Sequence, residues 1–312
     1  MHFAHSPYAS GKPPFTIGLA PIDESCWIEP DERLAEQLAL KEAILAREPD
    51  AFGAIAGGEP GQGEVLDLLA AHLPARYPGV YRRAGGALRI VPNGRRVCLV
   101  GEPPLLTAAR LVQEDLLLMQ RRPEGWILVA GALCFPSTWR LADKLGRALD
   151  AIHAPVPGWA GPMAGRVARI FDRLAPGRLV ERFNWSVYGD ARLRHAEARQ
   201  SPEARFPPGD PTARAHVRVE RQTLRRLPRS GDVLFTVRVH VDPVAAFARA
   251  AGGGELARAL RDQLAALDPA QLAYKGLAEA RGRLMDALAA LAPPPAGPHA
   301  GRASLNRPRA PI

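Results

Sequence analysis

The spacing of hydrophobic positions changes character along this chain. Near the start it is helical. Leu34, Leu38, Leu40 and Ile44 recur behind Pro30-Asp31-Glu32, an opening that predicts a helix over 31–48. Val65, Leu66, Leu68, Leu69 and Leu73 form one broad stripe and predict a second helix over 62–76. Between them AGGEPGQG (56–63) reads as a loop; it fits no phosphate-binding glycine pattern, and no clear strand leads into it. Ahead of both, 1–14 reads as an extended arm and FTIGLAPI (15–22) as a short strand.

The middle shifts towards strands. RVCLV (96–100), DLLLMQ (115–120) and WILVAGALCF (126–135) are short apolar runs, the last two joined by a hairpin turn at 121–125. A helix is expected from Trp139 to Leu145, ending near Gly146. A turn follows that carries His153 and is stiffened by Pro155 and Pro157. A further helix over 161–174 stops at Pro176-Gly177, and LVERFNWSVY (179–188) alternates like a strand. Residues 189–213 read as a polar, proline-rich surface loop. The runs 216–227 and 233–241 then pair around Pro228–Asp232, and Asp242-Pro243 stops the second. Helices are expected at 244–250, 255–266 and 270–290, with a disordered tail from Pro293. The expected class is α+β, an antiparallel sheet of about five or more strands flanked by helices, not an alternating βαβ chain.

Composition narrows the function classes. The 312 residues are 47% hydrophobic and 23% charged, as in ordinary soluble globular proteins. No apolar run approaches the about 18 residues of a membrane span, and MHFAHSPYASGKPP has no secretory pattern. Cys26, Cys98 and Cys134 are odd in number and far apart, which fits a reducing cytoplasm. The net charge is +9, but the basic residues are scattered, without the interleaved aromatics of a single-strand binder. Nucleic-acid binding is therefore not expected, and an acidic partner protein accounts for the charge equally well.

Candidate chemistry is sparse. There is no HExxH, CxxC, CxxCH, Walker loop, GxSxG elbow or dinucleotide fingerprint. If the chain does redox chemistry, its electrons come from another protein. His153 stands alone on an apolar turn near the segment Cys134–Arg140, which suits an axial ligand of haem or another metal. Asp150 or a backbone carbonyl would orient its second nitrogen. The same residues also suit a hydrogen-bonded loop histidine. Cys134 offers a thiolate alternative, or a small hydrophobe packed at the end of its run. In the first paired strand, alternation sets Arg218, Glu220 and Gln222 against Val217, Val219, Arg221 and Thr223. In the second, Val233, Phe235, Val237, Val239 and Val241 oppose Leu234, Thr236, Arg238 and His240. Such strands bind carboxylates through Arg and a cationic amine through Glu, or else present a solvated face with cross-strand ion pairs. Arg182-Phe183-Asn184-Trp185 is the last cluster, with Asn184 and Trp185 either lining a cavity or serving the core.

At these residues the chain resembles the haem-dependent oxidative N-demethylase family. The matching segments are IGLAPID with WIEPDE, HLPARYP, LVQEDLLLMQR, GWILVAGALCFPSTWRLADKLGR, LDAIHAPVPGW, RFNWSVY, RVERQTLRRLPRSGDVLFTVRVHVDP and LAYKGL. The resemblance implies a PAS-like core, noncovalent haem b and an imidazole ligand, carried onto His153 because AIHAPVP stands intact. It implies oxidation of a small secondary amine with dioxygen through a carbinolamine that collapses to amine and formaldehyde. Electrons would come from a separate reductase or ferredoxin-type partner. Glu220 and Arg221 become candidates for proton relay or amine positioning, and Arg218, Arg238 and Trp139 for contacts to the cofactor. A single haem-binding domain over 1–290 is expected: a helical part about 30–76, a core about 90–242, C-terminal helices about 244–290, then the tail 291–312. A non-catalytic PAS-like haem sensor is the alternative. The chain departs from the family's pattern at His240, where an aromatic is expected, and in the length of the 189–213 loop.

Overall fold

The computed structural model describes residues 3–195, 205–206, 209 and 211–292. In chain order the elements are β1 (Ala20–Pro21), α1 (Leu34–Arg47), β2 (Phe52–Ala54), α2 (Glu59–Arg76), β3 (Tyr81–Arg83), β4 (Ala87–Ile90), β5 (Arg95–Cys98) and α3 (Pro104–Ala109). Then come β6 (Asp115–Arg122), β7 (Gly125–Ala132), α4 (Leu149–His153), α5 (Pro162–Arg173), β8 (Leu179–Tyr188), β9 (His216–Arg226) and β10 (Val233–Pro243). The helices α6 (Gly253–Ala265), α7 (Pro269–Lys275) and α8 (Arg281–Leu291) close the described chain. Seven strands form one antiparallel sheet in the order β1-β8-β9-β10-β6-β7-β2, and β3-β4-β5 form a small second sheet, so the fold is α+β. No helix among the described residues is long and apolar enough to cross a membrane.

Register decides what each face of the large sheet meets. Phe235 lies opposite Leu224 on one side and Leu117 on the other, so these three share a face. That face packs on α4 and α5 through Leu149, Trp159 and Phe171. The opposite face carries Leu116 and Leu234 and packs on α1, α2 and α3 through Leu38, Leu69 and Ala108. Towards β8, the same opposite face presents Trp185, Val217 and Val219 to α6–α8 and to Phe3 and Tyr8 of the N-terminal arm. Helices thus cover both faces, which is why Arg221–Arg225 of β9 and Thr236–Val239 of β10 are buried at successive positions rather than alternating.

Several local expectations are corrected by tertiary contacts. Of 15–22 only the end, Ala20–Pro21 with the Ile22 amide, meets β8, because Phe15 (φ 61°) and Gly18 (φ 58°) leave the extended region. Residues 59–63, read as loop, begin α2. Pro60 suits the first turn, and Gly61 lets the helix sit against the sheet; a Cβ there would meet Asp232 Oδ2 at 2.2 Å and Leu118 Cδ2 at 2.9 Å. Residues 139–145 are a turn, not a helix: the amides of Lys144 and Leu145 donate to the Leu141 carbonyl at 2.9 Å each. Gly146 (φ 75°) then donates to the Leu128 carbonyl at 2.8 Å and returns the chain to β7. The helix expected over 270–290 is two, broken at Gly276 (φ 65°). β10 continues through Pro243, paired with His216. The tail from Pro293 and most of 196–210 lie outside the described residues.

The run 126–135 ends as a strand at Ala132 because its next amides turn inward. The Asp115 carboxylate, fully buried, accepts from the Cys134 and Phe135 amides at 2.8 Å each. Burial pushes its carboxyl above the usual carboxylate range, while the Lys41 and Arg218 charges and the two amides pull it back. Lys41 donates to the carbonyls of Val112 (2.9 Å) and Glu114 (2.6 Å), and Arg218 to that of Phe135 (2.6 Å). Asp115→Ala leaves two buried amides without an acceptor and removes the carboxyl beside Lys41 and Arg218, so urea unfolding should show a loss of about 3–5 kcal/mol. Asp115→Asn, which keeps an acceptor oxygen, should lose less. An unchanged midpoint in Asp115→Ala would show that the tie is not needed.

Candidate functional site

The chain entering α4 is pinned to β7: Ala148 bridges Ile127, and the Leu128 amide donates to the Arg147 carbonyl at 3.1 Å. A five-residue helix then ends at His153. The Pro155–Pro157 turn brings Trp159 back so that its ring stacks on the imidazole, 4.4 Å between centroids and 17° between planes. His153 Nδ1 lies 2.9 Å from the Leu149 carbonyl. A carbonyl only accepts, so Nδ1 carries the hydrogen and Nε2 keeps its lone pair. Nε2 makes no hydrogen bond among the described residues. Burial lowers the imidazole pKa, the Leu149 bond opposes this, and the Arg182 and Lys144 charges add to it. A neutral, oriented ring with one free nitrogen is the ligating form of histidine.

The sheet supplies polar groups on the same face. Val180 lies opposite Leu224, and both belong to the cluster that holds Leu149 and Trp159. Continuing along that face, Arg182 lies opposite Gln222, Asn184 opposite Glu220 and Ser186 opposite Arg218. Arg182 donates to the Thr16 carbonyl at 3.3 Å, but its Nε is sealed from solvent and unpartnered among the described residues. Burial pushes this guanidinium below its ordinary pKa, with Glu220 opposing. Glu220 Oε2 accepts from Asn184 (3.3 Å) and Gln222 (3.0 Å), and its Oε1 from Arg218 Nε (3.3 Å). Lys275, at the end of α7, reaches the Trp185 carbonyl and Asn184 Oδ1. Burial pushes its ammonium down to about 8; Glu220 opposes this and Arg182 and Arg205 add to it. The arrangement therefore offers one imidazole nitrogen, a half-buried guanidinium whose sealed Nε has no partner among the described residues, and a carboxylate with an amine nearby.

Sequence-derived candidates divide between the two faces. Arg218 is on the His153 face but is spent on the Phe135 and Leu193 carbonyls and on Glu220. Arg221 is on the opposite face, bonded to Glu181 (2.8 Å), Glu29 (3.2 Å) and the Trp27 carbonyl (3.1 Å). Arg238 is also opposite, bonded to Asp31 (2.5 Å) and Gln37 (2.8 Å). Neither joins His153. Trp139 packs at the margin of the His153 cluster but lines a separate cleft of 220 Å³ with Leu133, Pro136, Leu141 and Arg194. Cys134 is fully buried, and burial pushes its thiol up to about 12, so it packs as a hydrophobe. The orienting partner of His153 is the Leu149 carbonyl rather than Asp150. Two members of the cluster were given no role by sequence reasoning, Arg182 although it lies in the cluster Arg182–Trp185. Arg182 had a signal, its in-phase pairing with Gln222 beside Glu220; Lys275 had none beyond its place in LAYKGL.

The fold, a half-buried imidazole whose Nε2 has no hydrogen bond among the described residues, and the polar groups beside it all fall within one matched stretch of chain. Residues 18–285 match the family described as haem-dependent oxidative N-demethylase, alpha subunit-like. That span runs from before β1 into α8 and includes His153, Arg182, Glu220 and Lys275, and the chain belongs to this family.

Proposed function

We propose that this chain holds haem b noncovalently on the His153 face of its sheet and oxidatively demethylates a small secondary amine. Dioxygen would be the co-substrate, a separate reductase or ferredoxin-type protein the electron donor, and formaldehyde a product. The observation that carries this reading is His153, its Nδ1 spent on the Leu149 carbonyl and its Nε2, like Arg182 Nε on the same side, without a partner among the described residues. These residues fit a haem. Nε2 would hold the iron, and Trp159 stacking would fix the ring plane. A propionate carboxylate would compensate the Arg182 charge that burial disfavours. The five long strands β6–β10, with α4 and α5 inserted between β7 and β8, support the PAS-like reading.

When bound, the haem supplies oxygen activation and oxidation of the N-methyl group. The chain's own residues bind, orient and move protons. Glu220 would hold the amine, since its Oε2 is already ringed by the neutral donors Asn184 and Gln222. Arg218 grips the other oxygen and fixes the carboxylate plane. Lys275, pushed down to about 8, exchanges a proton near neutral pH within reach of Asn184. Arg221 and Arg238 lie on the far face, and no step is given to them.

The haem-loaded chain should show a Soret band that His153→Ala loses or shifts. A wild-type chain left spectrally silent after reconstitution with haemin would overturn the reading. Glu220→Gln should keep the band but lower kcat/KM for dimethylamine roughly 10–100-fold, the worth of one hydrogen bond to a charged group. Formaldehyde release measures it. A haem-loaded wild type that consumes no dioxygen with dimethylamine and a reductase would favour the sensor alternative.

A further inference from the structure

On the sheet face away from His153, three metal-ligating side chains converge from segments far apart in sequence: His5 on the N-terminal arm, Glu29 ahead of α1, and His240 on β10. Their ligand atoms all lie within 4.8 Å of one another. His5 Nε2 is 2.9 Å and His240 Nε2 3.9 Å from the same oxygen, Glu29 Oε2. We propose that these residues form a second site, for a divalent zinc-class transition-metal ion, which fastens the N-terminal arm to β10.

Four observations carry this. First, His240 Nε2 is sealed from solvent and has no hydrogen-bond partner among the described residues. A buried nitrogen left unpaired is costly, and an ion between the three donors would satisfy it. Second, the geometry is close. Bonds of about 2.0–2.2 Å set neighbouring donors of a tetrahedral ion roughly 3.3 Å apart. The two spacings to Glu29 Oε2 straddle that distance. Third, an outer shell already holds the ligands. Arg221 Nε takes Glu29 Oε1 at 3.2 Å, leaving Oε2 for the histidines, and its own charge is shared with Glu181 at 2.8 Å. The Glu29 amide donates to Glu114 at 3.3 Å, and Phe183 packs on the His5 ring with centroids 4.8 Å apart. Fourth, the site is reachable: the His5 and Glu29 side chains are 22% and 31% exposed.

Two imidazoles and one carboxylate, with further positions left to water, suit zinc and its neighbours rather than calcium or magnesium. The site is separate from the one proposed for haem. His240 is in phase with Arg238 and Thr236, which face away from Phe235 and Leu224. It also accounts for the departure at position 240, where an aromatic was expected.

The test uses the full-length chain, stripped with a chelator and titrated with Zn²⁺ by calorimetry, with Co²⁺ absorption as a second readout. One equivalent should bind. His240→Phe and Glu29→Gln should each weaken binding by more than the ~10–100-fold that outer-shell changes cost. His5→Ala, on the arm and outside any strand, should do the same and keeps the test valid if a strand variant unfolds. His153→Ala should retain the equivalent. A wild type that binds no Zn²⁺ or Co²⁺, or an equivalent that survives His5→Ala and Glu29→Gln, would overturn the proposal.

Discussion

The capture of two backbone amides by one buried carboxylate governs the layout of this molecule. Asp115 opens β6, and it holds the amides of Cys134 and Phe135, two and three residues past the end of β7 at Ala132. Arg218 of β9 then takes the Phe135 carbonyl from across the sheet. The chain leaving β7 is thereby fixed at both its donors and its acceptor. From that point it turns through 139–146, touches β7 again at Leu128, and delivers α4 with His153 at its end. A carboxyl so deeply buried is tolerated because Lys41 and Arg218 stand close and both its hydrogen bonds come from backbone amides.

The long strands were legible because alternation and turn residues agree there. β8, β9 and β10 fall where the sequence put them, within a residue or two at their ends. What alternation cannot convey is that both faces are covered. Arg218 on one face and Arg221, Arg225 and Arg238 on the other would suit solvent, yet all four are buried. Residues 139–145 carry helical spacing, but Thr138 (φ 64°) and the return to Leu128 leave room for a single turn. Gly61 explains the opposite error: a glycine-rich stretch that reads as loop becomes helix because the sheet needs close contact there.

The candidate site divides along the same line. His153 was legible, since an isolated histidine beside two prolines stands out locally. Its partner groups were not, because strand register and the break at Gly276 bring Arg182 and Lys275 to Glu220. The net charge of +9 also changes meaning. Several arginines act as internal cross-links between carbonyls: Arg218 joins Phe135 to Leu193, and Arg221 reaches the segment at Trp27. Their charge is not displayed to a partner.

The shortness of β1 has a consequence for how molecules meet. β1 and the Ile22 amide cover β8 at Leu179, Val180 and Glu181, and among the described residues no further strand pairs along it, so the carbonyls of Trp185 and Val187 point outward. Lys275 occupies the first and Arg205 the second. An incoming strand from another molecule finds those acceptors taken and two cations in its path. The two side chains thus act as gatekeepers on this edge, disfavouring strand-on-strand pairing there.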